Sequence, residues 1–389
     1  MTQVETPAAS SVPVSGETKP WPERSLSAIH LTVPADGDLS ASLDFERLGV
    51  VMHPDLSDPL EEWGVLNPAI VRDRNGDLLM FPRIVAKENL SRVSRVRIIE
   101  GADGTPVGIE RQGLALEPEE LWEKNNRTSG IEDPRIVFIA ALDRWVMSYA
   151  AYGPFGAKVS LAVSSDLLSW ERLGPVDFAW EPGVGSDLGL YRNKDAVFFP
   201  EPVPGPDGRM SLAMIHRPMW DIGDVVPGEG SQPPVGIADE RPGIWISFVA
   251  LDDVLGDIRK LRLLSQHSAI AFPAHDWESL KIGGGTAPVR VDGGWLMFHH
   301  GVVGRLIPGT DHQPHVRYAA GAMLLDATDV TRVLARSSQP LFEPETPEET
   351  SGIVPNVVFP TGVDAGSGDI IVYYGMGDSR IGAGRVTLR

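Results

Sequence analysis

The sequence predicts an all-β fold, a five-bladed β-propeller preceded by a mostly disordered or extended N-terminal segment. Three observations predict it. A β-hairpin signature recurs five times along the 389 residues, each copy opens on a polar residue, and Gly (41) and Pro (33) are frequent while long helical patterns are few. A β-sandwich, the alternative, has no need of one unit repeated along the whole chain.

The first copy opens at Asn67-Pro68, turns at 74–77 and returns over 78–81. The second opens at Asp133-Pro134, turns at 142–143 and returns over 145–149. The third opens at Asp195-Ala196, turns at 206–208 and returns over 210–215. The fourth opens at Thr286-Ala287, turns at 292–294 and returns over 295–298. The fifth opens at Asn356-Val357, turns at 367–368 and returns over 370–374. A third strand follows each, at 95–99, 159–163, 244–248, 318–323 and 384–388. The turns lie roughly 65–85 residues apart, longer than WD40 or kelch units, as insertions between blades would make them. The expected division is an N-terminal extension over 1–45 and a catalytic propeller over 46–389.

Net charge is −19, which argues against nucleic acid and anionic membranes as partners. Cysteine is absent, so disulfides, zinc–thiolate sites and thiol catalysis are excluded. No apolar stretch is long enough for a membrane span, and residues 1–20 lack the basic and apolar regions of a signal peptide. A cytoplasmic protein is expected, and a homo-oligomer is left open.

In a propeller, inner strands start beside a central funnel. The openers Asn67, Asp133, Asp195, Thr286 and Asn356 then form a polar ring around one pocket, or else cap strand ends by Asx-type bonds. Glu132-Asp133-Pro134-Arg135 is the sharpest motif. Proline is expected to hold Asp133 extended. Alternation then puts Asp133 and Arg135 on one face and turns Glu132 toward the loop. Asp133 is the candidate general acid. Basic residues gather at matching strand ends: Arg83, Lys158, Lys194, His216-Arg217 and His299-His300. Together they predict a cationic patch able to bind phosphate. Adjacent His299 and His300 face opposite ways, so a metal site with Asp311, His312 and His315 is not expected. Gly283-Gly284-Gly285 reads as a tight turn, and 223–243 as a long loop over one face.

These stretches, with Phe81-Pro82-Arg83, Lys194-Asp195-Ala196, Gly284-Gly285-Thr286-Ala287-Pro288, Val354-Pro355-Asn356 and Tyr373-Tyr374-Gly375 followed by Asp378, run in order from about residue 60 onward. As an ordered set they resemble glycoside hydrolase family 130, the β-mannoside phosphorylases and β-mannosidases. The resemblance implies a five-bladed propeller with a single catalytic acid, Asp133. It implies that the proton travels through a mannosyl hydroxyl while inorganic phosphate attacks the anomeric carbon with inversion, giving α-mannose 1-phosphate. Asn67, Arg83, Asp195 and Asp378 would contact sugar hydroxyls; Lys158, Lys194, His216 and His300 would hold phosphate. No cofactor or metal is implied beyond phosphate as co-substrate. An inverting hydrolase needs a second carboxylate to activate water, whereas phosphate is already an anionic nucleophile. The alternatives are an inverting β-mannosidase, with Glu201, Glu343 or Glu345 as base, and a non-catalytic carbohydrate-binding propeller.

Overall fold

A computed structural model of the protein describes residues 29–124, 130–154, 156–221, 230–307, 313–366 and 369–389. The N-terminal residues 1–28, the 222–229 part of the long loop, Asp311, His312 and the 367–368 turn lie outside the described residues.

The chain is all-β. Its strands follow one another as antiparallel meanders. The first comprises Gly64–Arg72, Leu78–Ala86, Leu90–Glu100 and Pro106–Leu116; the second Gly130–Ile139, Arg144–Gly153, Gly156–Ser164 and Glu171–Pro175. A single parallel bridge between Ser91 and Gly130 merges these two into one eight-stranded sheet. The third pairs Arg192–Phe198, Met210–Met219, Ile244–Ala250 and Leu263–Ala271 in turn. In the fourth, Lys281–Gly284 and Val289–Val291 share the strand Gly294–Gly304, which pairs Val316–Leu325 and then Val333–Arg336. The fifth is Val358–Asp364, Ile370–Met376 and Arg380–Leu388, completed on its outer edge by Leu43–Met52 from the other end of the chain. The boundary expected at residue 45 therefore falls inside a paired strand. That strand gives the last meander the outer neighbour it would otherwise lack.

Three of the polar openers do not open strands. They sit inside them, at bulges where the register slips between Leu66 and Ala69, Glu132 and Arg135, and Lys194 and Val197. Asn67, Asp133 and Asp195 have φ of 45°, 50° and 55°, and Asn356 has 62°. This left-handed backbone costs an ordinary residue roughly 1–2 kcal/mol, and Asn and Asp tolerate it best. Asp133 is thus not extended, as the following proline led us to expect. Pro68 and Pro134 occupy the second bulge position, where a backbone N–H would lose its ladder partner.

A second repeat lies outside the hairpins. Before each inner strand a glutamate folds back to accept backbone N–H groups and meets a residue of the same meander's outer strand. Glu123 Oε2 accepts from the amides of Glu119 and Glu120 (3.0 and 3.1 Å), while Oε1 takes Tyr149 and Arg172 (2.7 and 3.0 Å). Glu278 repeats this with Ala274, His275, His299 and Arg336. Glu349 repeats it with Glu345, Thr346, Tyr374 and Arg47. Glu61 takes Asp55 and Arg111, and Glu181 takes the amides of Gln266 and His267. The first three carboxylates are fully buried. Each latch closes its sheet across the strand order. Between sheets, the core is apolar: Val137 and Val146 pack with Phe198, Phe199 and Met214, and these with Trp295 and Met297.

Candidate active site

The bulges gather the inner-strand polar side chains at one end of the meanders. Asp133 is 9% exposed, and its Oδ1 accepts from Asn67 Nδ2 at 2.8 Å and Arg83 Nη1 at 3.2 Å. Arg83 also donates from Nη2 to Glu132 Oε1 (3.0 Å) and from Nε to Ser91 Oγ (2.9 Å). Lys194 Nζ donates to Glu132 Oε2 at 2.7 Å. Glu132 therefore does not turn to the loop. The bulge at Asp133-Pro134 breaks strand alternation, so Glu132 stays inward and bridges the two cations beside Asp133. Arg135, expected beside the Asp133 carboxylate, instead donates to backbone carbonyls.

Asp195 holds the neighbouring centre. Its Oδ2 accepts from Arg217 Nε at 2.5 Å and lies 3.8 Å from His300 Nε2. His300 packs edge-on to Phe359 and stacks near Tyr318. Lys281 Nζ lies 5.4 Å from the Tyr318 ring. A Cβ on Gly283 would come within 2.2 Å of Asp195 Oδ2 and 2.7 Å of Arg217 Nε. The glycine run is therefore not a tight turn. Gly283 and Gly284 are paired strand, and Gly283 makes room for the ion pair.

Several expected site residues lie elsewhere. Lys158 sits on the third strand of its meander and donates to the carbonyls of Gly189 and Tyr191, both at 2.7 Å, so it anchors a turn. His216 is fully buried on the opposite face of its strand from Arg217, with Nδ1 on Asn193 (2.9 Å) and Nε2 on Ser247 (2.8 Å). Ser247 bonds His267 in turn, so the ring belongs to an internal polar chain. His299 is taken up by the Glu278 latch. Glu345 pairs with Arg47, Glu343 with Arg317, and Glu201 is exposed. Sequence reasoning passed over Lys281, read Tyr318 only as the start of a strand, and named Arg217 only with its histidine neighbour. Lys281 lies two residues before the glycine run, and the strand's parity would have pointed it toward Asp195.

Charge fixes the protonation pattern. Burial alone pushes the Asp133 carboxyl up, but Arg83, Lys194, Arg135 and the Asn67 amide outweigh it and hold the group below the usual carboxylate range. Asp195 is held low in the same way, chiefly by Arg217 against burial. Asp378, with no hydrogen bond or ion pair among the described residues, is pushed up to about 6 by burial, with Asp133 and Glu132 adding to the rise against Arg83 and Lys194. Burial, then Arg217, brings the Lys281 amine down to about 7. Burial also takes His300 down to about 3, so this ring is neutral near neutral pH. Against Glu132, Asp133, Asp195 and Asp378 stand Arg83, Arg135, Lys194, Arg217 and Lys281. The site is thus locally cationic in a chain of net charge −19. Buried Asn67 Oδ1, Arg217 Nη1 and His300 Nδ1 have no partner among the described residues, and the side-chain groups of Lys281 and Tyr318 make no hydrogen bond there. Such open donors and acceptors around one carboxylate suit a polyhydroxylated ligand and an anion. No group of His, Asp and Glu able to hold a metal ion is found among the described residues.

A family model described as beta-1,4-mannooligosaccharide phosphorylase matches residues 45–389. A 1,2-beta-oligomannan phosphorylase of Thermoanaerobacter is 32% identical over 67% of this chain and 69% of its own. A beta-1,4-mannooligosaccharide phosphorylase of Ruminococcus albus is 27% identical over 71% and 69%. Among solved structures, the beta-1,2-mannobiose phosphorylase of Listeria innocua superposes with a TM-score of 0.63 at 21% identity, over 88% of this chain and 96% of its own, a likeness of fold. No described helix is long and apolar enough to cross a membrane. The matched span takes in every residue of the Asp133 and Asp195 centres, and the chain belongs to glycoside hydrolase family 130.

Proposed function

We propose that the protein is an inverting β-mannoside phosphorylase, acting on β-1,2- or β-1,4-linked mannosides with inorganic phosphate and releasing α-mannose 1-phosphate. The cationic cradle supports this reading best: Lys194, Arg217 and Lys281 stand near Asp133 and Asp195 with neutral His300, and they outnumber what a water-activating carboxylate alone would need. In this reading Asp133 is the acid: anionic phosphate entering the cradle offsets the cations that hold its carboxyl low, so the group takes up its proton in the loaded site. Asn67, Arg83, Asp195 and Asp378 hold sugar hydroxyls, and Lys194, Arg217, Lys281 and His300 hold phosphate. Lys158 and His216 are left out because their donors are already committed.

The proton of Asp133 passes by way of a mannosyl hydroxyl to the glycosidic oxygen as the bond from that oxygen to C1 breaks. A phosphate oxygen forms the new bond to C1 from the opposite face. The leaving sugar departs as an alcohol, and the proton of hydrogen phosphate returns to Asp133 through solvent. The five meanders are read as blades of a closed propeller spanning 43–389, since the strand Leu43–Met52 completes the fifth. Contacts between the first and last inner strands support the closure, with Thr361 Oγ donating to Pro68 O at 2.8 Å and Arg72 bridging to Asp364.

The test is turnover of β-1,2- and β-1,4-mannobiose with and without phosphate. Phosphate-dependent α-mannose 1-phosphate is expected. Mannose release that ignores phosphate would make the protein a hydrolase, and sugar binding without turnover a binding module.

A further inference from the structure

Arg135 has no counterpart at the matching position after the other left-handed openers. The position two residues after the left-handed residue is Ala69, Val197 and Val358 elsewhere, each at most 1% exposed. In the second meander alone that position carries a guanidinium, itself 2% exposed. It makes no ion pair at salt-bridge distance among the described residues. Nη1 donates to the carbonyls of Asp133 (3.0 Å) and Pro134 (3.2 Å), and Nε to Gly285 O of the fourth meander at 2.6 Å. The guanidinium lies 5.4 Å from the Phe359 ring of the fifth, and its buried Nη2 has no partner among the described residues.

A buried arginine without a carboxylate is costly, and an apolar residue there would pack as the other meanders do. What the arginine adds is a clamp on the backbone that carries Asp133. That backbone is left-handed at a non-glycine residue, a conformation that persists only where its surroundings over-determine it. We propose that Arg135 is a positioning residue for the acid: its fork fixes the two bulge carbonyls against the fourth and fifth meanders, and so fixes where the Asp133 carboxyl stands. A planar fork can bind three carbonyls in fixed directions; the point charge of lysine cannot hold that geometry.

The inference rests on Asp133 being the acid. The experiment compares Arg135→Lys and Arg135→Met with wild type in kcat, KM for mannobiose and phosphate, sugar affinity by calorimetry, and melting temperature. Both variants are expected to lose about 10²-fold in kcat, the scale of a misplaced catalytic group, with KM and sugar affinity within about threefold. Lysine, though it keeps the charge, is expected not to rescue kcat. The alkaline limb of the kcat profile, which reports loss of the Asp133 proton, is expected to move upward in the methionine variant and to hold in the lysine variant. Unchanged kcat in either folded variant overturns the inference. So does failure of both to fold, which would place Arg135 in the fold rather than with the acid. The wild-type phosphate requirement and Asp133→Asn test the phosphorylase reading on their own. A wild type that hydrolyses without phosphate leaves the Arg135 comparison intact, read on hydrolysis.

Discussion

Asn67 Nδ2 stands 2.8 Å from Asp133 Oδ1, the same oxygen that Arg83 Nη1 reaches at 3.2 Å. Both donors therefore converge on one carboxyl oxygen, and Oδ2 is the oxygen that can carry the transferable proton. Asp133→Asn keeps the shape and removes that proton, so turnover should fall about 10³-fold while sugar still binds. Asn67→Ala removes one hydrogen bond to a charged group, and kcat should fall roughly tenfold. Steady-state kinetics paired with calorimetric binding checks both. Loss of binding in Asp133→Asn would contradict the acid assignment.

Lys281 gives the site an alkaline limit. Its amine, brought down to about 7 chiefly by burial, is cationic below that pH and neutral above it. kcat/KM for phosphate, which reports the free enzyme, should therefore decline as pH rises through about 7. Lys281→Arg keeps its charge and should lose this limb, and because phosphate's own ionisation is common to both proteins, the difference between the profiles isolates the amine. Lys281→Met should lower kcat/KM for phosphate by roughly 10- to 100-fold at neutral pH. Identical profiles for wild type and Lys281→Arg would refute the assignment.

The repeat and its polar positions were legible in the sequence because hairpins with turn residues leave a local signal. What lay beyond reach was side-chain direction. Glu132 and Arg135 were assigned by simple alternation, and the bulge at Asp133 reset the parity between them. His216 and Lys158 were grouped with the site because they end or open strands, yet one faces away from Arg217 and the other belongs to a strand away from the inner edge. The glutamate latch was readable but overlooked. Pro118 to Glu123, Pro273 to Glu278 and Pro344 to Glu349 share one spacing, in segments that a search for hairpins passes over. Only the fold shows that Arg172, Arg336 and Arg47 answer them from outer strands.

Those latches should govern acid stability. Burial alone raises the Glu278 carboxyl, but His299 and Arg336 prevail and bring it from 4.5 to about 2. A depressed folded-state value stabilises the fold above the unfolded-state value. That stabilisation is lost as pH falls from 4.5 toward 2. Glu278→Gln leaves the half-buried Arg336 without its charge partner, at a cost of about 1–3 kcal/mol. Urea unfolding at pH 7 should show that loss, and the gap to wild type should narrow on acidification. The phosphate KM of the folded variant should be unchanged.

His216 and Arg217 are adjacent on one strand and face opposite ways, so their variants should separate stability from phosphate use. His216→Phe keeps the ring volume against Phe178 but leaves Asn193 and Ser247 each short of a partner. Buried polar groups so orphaned cost about 1–3 kcal/mol each, so melting temperature should fall while KM for phosphate holds. Arg217→Lys retains a cation near Asp195 but loses the fork that reaches Asp195 with one nitrogen and leaves Nη1 open. Its kcat/KM for phosphate should drop at least about tenfold, the loss of one charge-assisted hydrogen bond, with little change in melting temperature. A rise in phosphate KM in His216→Phe equal to that in Arg217→Lys would return the histidine to the anion site.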